Sequence, residues 1–224
     1  MKDNNLSRSE NQASPQKFLV VEGPIGVGKT TLATKLAQTF SAQTVLEDAW
    51  ANPFLEKFYQ NPVEAALPAQ LFFLFQRHKQ MKELQQSDLF NPHIVSDYLI
   101  DKDCLFAKET LSADEFDLYQ QVYQHLSIQR PHPDLVIYLQ APVKILLKRV
   151  RNRGRKEETL IQPSYLQRIV EAYTHFFHYY QDSPLLIVNA SGIDLVNNEQ
   201  HYQQLIDKIN SIQGGRNYFN PLSL

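Results

Sequence analysis

Residues 17 to 31 read KFLVVEGPIGVGKTT, an apolar run closing on Glu22 and passing straight into a glycine-rich turn. Gly23, Gly28, Lys29 and Thr30 occupy the fixed positions of G-x-x-x-x-G-K-[ST]. The chemistry explains the spacing. Glycines let the backbone of Gly23, Pro24, Ile25, Gly26, Val27 and Gly28 curl so that successive N–H groups face phosphate oxygens, and the helix beginning near Lys29 adds its partial positive charge. Lys29 is placed to reach the β- and γ-phosphates of ATP, Thr30 to offer a hydroxyl to Mg²⁺, and Thr31 completes the loop. Leu32, Leu36 and Phe40 recur every four residues beside Ala33 and Ala37, predicting a helix over about 29 to 40.

Four further apolar runs follow: QTVLE (43 to 47), HIVSD (93 to 97), DLVIYLQ (134 to 140) and PLLIVNAS (184 to 191). Each is continuous rather than alternating, as strands buried on both faces are. Helical patterns separate them, over about 62 to 86, 101 to 108, 113 to 127, 142 to 151, 163 to 181 and 199 to 212. Strands alternating with helices predict an α/β fold of the P-loop type, a doubly wound sheet of five parallel strands flanked by helices. Ligands of such sheets sit beyond the carboxyl ends of the strands, which gathers Glu22, Glu47 and Asp97 around one crevice.

Composition sets the limits. The chain has 224 residues, 43% of them hydrophobic, which suits one globular domain over 17 to 224 after a polar tail at 1 to 16. Lysine and arginine number 22 against 24 acids, a net charge of −2 that recruits neither a nucleic-acid backbone nor an acidic membrane. The distribution is uneven. KILLKRVRNRGRK, 144 to 156, carries seven cations and no acid, leaving 15 cations against 24 anions elsewhere. Its spacing R-x-R-x-R-G-R predicts an Arg-rich lid over about 149 to 158, in which Arg151, Arg153 and Arg155 neutralise a transferring phosphoryl group. A solvated basic helix end is the competing reading for any one of these arginines.

One cysteine, Cys104, excludes an internal disulfide, and the longest apolar run, LFFLF at 71 to 75, is too short to span a bilayer. The polar start lacks a signal-peptide centre, so a cytoplasmic location is expected. Neither N-K-x-D nor D-x-x-G occurs, which argues against a guanine-specific switch protein. Glu47, in VLEDAW, is aimed into the crevice, where a carboxylate orients a hydroxyl nucleophile and takes its proton. Asp97 is a candidate holder of Mg²⁺. His175 and His178 lack a third ligand in sequence, so packing or exposure is expected of them.

Taken in order, GPIGVGKTT, LEDAWANPFLEKFYQNP, AQLFFLFQRHKQM, SDYLIDKDCLFA, PDLVIYLQAP, RVRNRGRKEETLIQPSYL and LLIVNASGIDLVNN resemble the deoxynucleoside kinase family, nearest its bacterial deoxyadenosine/deoxyguanosine kinase-like branch. The resemblance covers nearly everything from Phe18 onward. It implies that Glu47 receives the proton of a sugar 5′-hydroxyl and that Tyr59 and Glu158 hold the 3′-hydroxyl. It further implies that Gln70, Arg77 and Asp103 recognise the base, that the lid arginines serve phosphoryl transfer, and that 189 to 194 cups the donor adenine. A homodimer through the helices near 62 to 86 and 113 to 127 is also implied. There is one departure. Where most of the family has an acid-arginine-serine motif, this chain has Asp97, Tyr98 and Leu99, so the missing charge must come from Lys102 or a lid arginine.

The expected reaction is transfer of the γ-phosphoryl group of ATP to the 5′-hydroxyl of a deoxynucleoside, deoxyadenosine first, with deoxyguanosine and deoxycytidine behind it. One alternative is a nucleoside monophosphate kinase resembling thymidylate kinase. Its acceptor carries a phosphate that Glu47 would repel, and Arg77 is the only arginine between Asp48 and Ile100. A non-catalytic nucleotide-binding module is the other.

Overall fold

The computed structural model describes residues 18–87, 93–126, 131–155, 157–195 and 197–220. The expected tail at 1 to 16, and Lys156 of the cationic segment, lie outside the described residues.

In chain order the elements are β1 (Phe18–Glu22), α1 (Lys29–Thr39), β2 (Gln43–Val45), a short 3₁₀ turn (Ala49–Ala51), α2 (Leu55–Gln60), α3 (Pro62–Ser87), β3 (Ile94–Ser96), α4 (Lys102–Thr110) and α5 (Ala113–His125). Then come β4 (Leu135–Gln140), α6 (Val143–Arg153), a 3₁₀ turn (Glu157–Leu160), α7 (Pro163–Tyr179), β5 (Leu185–Asn189), α8 (Glu199–Ser211) and β6 (Arg216–Phe219). The strands form one parallel sheet in the order β2-β3-β1-β4-β5-β6. Sheet order departs in both directions from the central β1, so the crevice opens beside its carboxyl end. The registers Val20 with Ser96 and Glu22 with Tyr138 bring the exits of β1, β3 and β4 to the same end of the sheet.

Local chemistry accounts for the boundaries. Ser112 and Glu115 close a reciprocal capping box that starts α5, Asn198 caps α8, and Pro163 opens α7. Gly154, in the left-handed conformation at φ 69°, ends α6. Val20, Val21, Val136 and Ile137 are fully buried between the helical layers, which is why their runs are apolar without alternation.

The five expected strands are present, with a sixth beyond them. β6 is a four-residue edge strand of alternating exposure, and Arg216 fixes it in place. That side chain donates to the carbonyls of Phe177 (2.8 Å) and His178 (2.9 Å), satisfying acceptors that the last turn of α7 leaves open. The expected helix over 142 to 151 continues to Arg153, so Arg149, Arg151 and Arg153 stand on α6 rather than in a loop, and Arg155 alone of the four follows its end. Among the described residues, no helix is long and apolar enough to cross a membrane.

Candidate active site

The loop after β1 takes left-handed backbone at Gly23, Gly26 and Gly28 before α1 begins. A Cβ on Gly28 would meet nothing within 4 Å, so the loop is open at that position. Gly28 caps α1 without a side-chain hydrogen bond, which leaves first-turn N–H groups for an anion. Val27 packs its side chain into the core and closes a turn on Pro24 through its N–H (3.2 Å). Pro24 is buried, Ile25 and Gly26 line the cavity, and Thr31 faces solvent.

Lys29 Nζ lies over the loop, donating to Gly23 O at 2.7 Å and Pro24 O at 3.3 Å. Burial lowers its pKa; Glu22 opposes that shift and Lys102 adds to it. Thr30 Oγ1 donates to Asp97 Oδ2 at 2.5 Å, and Asp97 Oδ1 accepts from the Glu47 N–H at 2.7 Å. One buried carboxylate thus ties the phosphate loop to the segment bearing Glu47. β2 ends at Val45, so Glu47 stands two residues past the strand rather than closing it.

Four charged groups interlock around Glu47. Glu47 Oε1 pairs with Arg77 Nη2, Glu47 Oε2 with Lys102 Nζ at 2.9 Å, and Arg77 Nη1 with Asp103 Oδ1. Arg77, Lys102 and Asp103 are at most 4% exposed. Burial acts to raise the pKa of Glu47, but the attraction of Arg77 and Lys102 prevails and holds the carboxyl well below the usual range. The arginine also lies 5.2 Å from the Phe73 ring and 5.5 Å from the Tyr98 ring. Tyr98 is 1% exposed and donates its hydroxyl to Gln80 (2.8 Å).

The cavity between these groups and the loop is also lined by Trp50, Tyr59, Gln70, Phe73, Arg153, Arg155 and Glu158. Gln70 is buried, and its amide donates to Thr110 Oγ1 at 3.2 Å. Tyr59 stands edge-on to Tyr165; burial keeps its hydroxyl above its ordinary range, and Glu158 and Glu47 add to the effect. Arg153 grips Glu158 with two nitrogens, and Arg155 stacks over the Trp50 ring at 4.4 Å. Arg151 is exposed and does not line the cavity. Phe75 is half exposed on α3, and His175 and His178 are exposed beside Tyr179.

Three features were not assigned these roles from sequence. Glu22 is wholly buried and faces inward, accepting from Gly23 N (2.8 Å), Leu99 N (2.8 Å) and the Tyr173 hydroxyl (2.9 Å). An acid closing an otherwise apolar strand directly before the glycine turn was the signal for it. Arg149 donates to Val27 O (3.2 Å) and Ala190 O (2.7 Å), clamping the phosphate loop to the exit of β5. Trp50 had no periodic signal, because its segment is a 3₁₀ turn.

The donor sets fit the expected ligands. Thr30, in the first turn of α1, and Asp97, at the exit of β3, are hard oxygen donors suited to Mg²⁺. No cluster of three His, Cys, Asp or Glu residues able to hold a metal occurs among the described residues. The loop carries backbone amides and an ammonium, donors suited to a triphosphate.

A family model described as deoxynucleoside kinase matches residues 19–213. The chain is 35% identical over 193 residues to a deoxyguanosine kinase of Bacillus subtilis, spanning 84% of this chain and 93% of that one. It is 29% identical over 211 residues to a deoxyadenosine/deoxycytidine kinase of the same organism, spanning 91% and 96%. Among solved structures, the deoxyadenosine kinase from M. mycoides with products dCMP and a flexible dCDP bound superposes with a TM-score of 0.75 at 25% identity, covering 87% of this chain and 100% of that one.

Proposed function

The chain belongs to the deoxynucleoside kinase family, phosphotransferases that use ATP with a nucleoside hydroxyl as acceptor, and on that premise we propose that its acceptor is a deoxynucleoside with an adenine, guanine or cytosine base, deoxyadenosine first. The observation that carries this is the Arg77 guanidinium held between Glu47 and Asp103 beside Gln70. It sets a carboxylate, a guanidinium and an amide at the inner wall of the cavity, donors and acceptors that a base edge requires. The names of the two Bacillus relatives, acting on deoxyguanosine and on deoxyadenosine and deoxycytidine, are in keeping with it.

In this reading Lys29 and the loop amides hold the β- and γ-phosphates, and Thr30 and Asp97 hold Mg²⁺, which supplies charge neutralisation when bound. Glu47 orients the 5′-hydroxyl and takes its proton. Tyr59 and Glu158 hold the 3′-hydroxyl, and Arg153 and Arg155 line the same cavity. For Arg151 the assignment to phosphoryl transfer rests on the family resemblance. A homodimer through α3 and α5 is supported by Phe75 and Leu118, large apolar side chains that stand about half exposed on two helices packed together. The single domain with its lid, and a cytoplasmic location, complete the proposal.

Initial rates with the four deoxynucleosides and with thymidine monophosphate test it. Turnover of deoxyadenosine, deoxyguanosine or deoxycytidine is expected, and turnover of the monophosphate alone overturns it. No turnover of any of them by the folded wild type would instead favour a binding module, and an unchanged rate in Glu47→Gln would leave that carboxylate without a chemical task.

A further inference from the structure

Glu47 has two cationic partners, and they differ in what else they hold. Arg77 is shared with the carboxylate of Asp103, so its charge is already balanced away from the reacting atoms. Lys102, 3% exposed at the start of α4, points its ammonium at Glu47 Oε2 and lines the cavity. Lys29 lines the same cavity, so both ammoniums border the space between the phosphate loop and Glu47. The lid cations are engaged elsewhere. Arg153 is committed to Glu158, Arg155 to the Trp50 ring, and Arg151 is outside the cavity.

We propose that Lys102 is a catalytic residue that contacts the 5′-oxygen and the transferring phosphoryl group together. This deepens, and rests on, the kinase reading above. The bond from the 5′-oxygen to the γ-phosphorus forms as the bond from that phosphorus to the bridging oxygen breaks. The leaving diphosphate carries away the electron pair, and the hydroxyl proton passes to Glu47. Protonation removes the negative charge that holds Lys102. Its ammonium is then available to the phosphoryl oxygens at the stage when charge develops on them, without any large movement. Before transfer, the same ion pair keeps Glu47 ionised and ready to accept the proton.

The test compares wild type, Lys102→Met and Lys102→Arg in the full chain. Steady-state rates are set beside deoxynucleoside affinity, read from the emission of Trp50, the sole tryptophan. Lys102→Met is expected to lower kcat about a hundredfold or more while affinity changes by less than roughly threefold, and Lys102→Arg to recover part of the loss. The thermal transition of each variant shows that it is folded. The inference is overturned if folded Lys102→Met keeps its kcat, if the loss lies only in affinity, or if folded Lys102→Arg is no faster than Lys102→Met. Failure of the underlying reading looks different, since wild type would then phosphorylate no deoxynucleoside.

Discussion

Arg153 and Glu158 form a two-point ion pair, with Nε 3.0 Å and Nη2 2.7 Å from the two carboxylate oxygens. The pair joins the end of α6 to the 3₁₀ turn that follows Gly154. It fixes a buried carboxylate in the cavity that Tyr59 also lines, the place proposed for the sugar 3′-hydroxyl. A hydrogen bond to a charged group contributes about 1.5–3 kcal/mol, or roughly tenfold to a hundredfold. Wild type should therefore prefer a 2′-deoxynucleoside over its 2′,3′-dideoxy analogue by that factor in kcat/KM. Glu158→Gln should lose most of the preference, and Arg153→Ala, which leaves Glu158 unanchored, should lose part. Equal preference in all three proteins would remove Glu158 from sugar recognition.

Arg77, itself buried, stands between two carboxylates, so its removal leaves Asp103 without its ion-pair partner and Glu47 with Lys102 alone. Breaking a buried pair in this way costs about 3–5 kcal/mol. Arg77→Met should lower the free energy of denaturant unfolding by that amount. Asp103→Asn placed on top of it should recover a substantial part, because the second charge goes with it. Additive losses in the double variant would contradict the coupling.

Much of this arrangement was legible in the sequence. The phosphate loop and β1 follow from local chemistry over fifteen residues, and the continuous apolar runs locate the first five of the six strands. The acids next to those runs, Glu47 and Asp97, fell where expected to within the fraying of strand ends. What escaped depends on contacts distant in sequence. β6 has no apolar run because one of its faces is exposed; Arg216 and its backbone pairing with β5 hold it. Nothing in R-x-R-x-R-G-R distinguishes Arg149, directed at the phosphate loop, from Arg151, directed at solvent. That division is set by the rotation of α6 against the sheet. The charged quartet joins the exit of β2, α3 and α4, and no local pattern shows it.

The pH response of Glu47 follows from its surroundings. Its folded pKa lies below the unfolded value of 4.5, with Arg77 and Lys102 outweighing burial. The carboxylate's contribution to stability is therefore complete above the unfolded value and is lost as pH falls through the lower, folded one. Between about pH 5 and pH 8 Glu47 stays ionised, so kcat/KM should show no acid inflection belonging to it in that window. Arg77→Met removes one cation and leaves the Asp103 charge nearby, so an inflection should rise into the accessible range. A pH–rate series on both proteins checks this, and identical acid limbs would sink it.

Trp50 and Arg155 offer a direct view of the cavity's outer edge. The guanidinium lies 4.4 Å from the ring centroid, and Trp50 is the only tryptophan in the chain. A cation at that distance perturbs indole emission and contributes about 0.5–1 kcal/mol at a partly exposed position. Arg155→Ala should change the intensity of wild-type fluorescence without a measurable drop in thermal stability. Adding ATP to wild type should shift the emission in the same direction if phosphates draw Arg155 off the ring. No response to either change would mean that the stacking does not persist in solution.

Gly26 and Gly28 separate two demands on the phosphate loop. Both have positive φ, 83° and 106°, so alanine is strained at either. Their surroundings differ. A Cβ on Gly26 would come within 2.7 Å of a Val150 methyl and 2.9 Å of the Leu146 carbonyl, on the α6 face that supports the loop, whereas a Cβ on Gly28 meets nothing. The carbonyl belongs to helical backbone and cannot turn aside. Gly26→Ala should therefore be the less stable variant by about 1–3 kcal/mol, the cost of forcing a methyl into a packed contact. Gly28→Ala should fold more nearly like wild type yet bind ATP poorly, since the strain of its positive φ falls on the phosphate loop at the start of α1 with no packing contact to add to it. Thermal unfolding and the KM for ATP, measured on both, distinguish packing against α6 from backbone strain, and a common pattern in the two variants would show that backbone strain alone governs the loop.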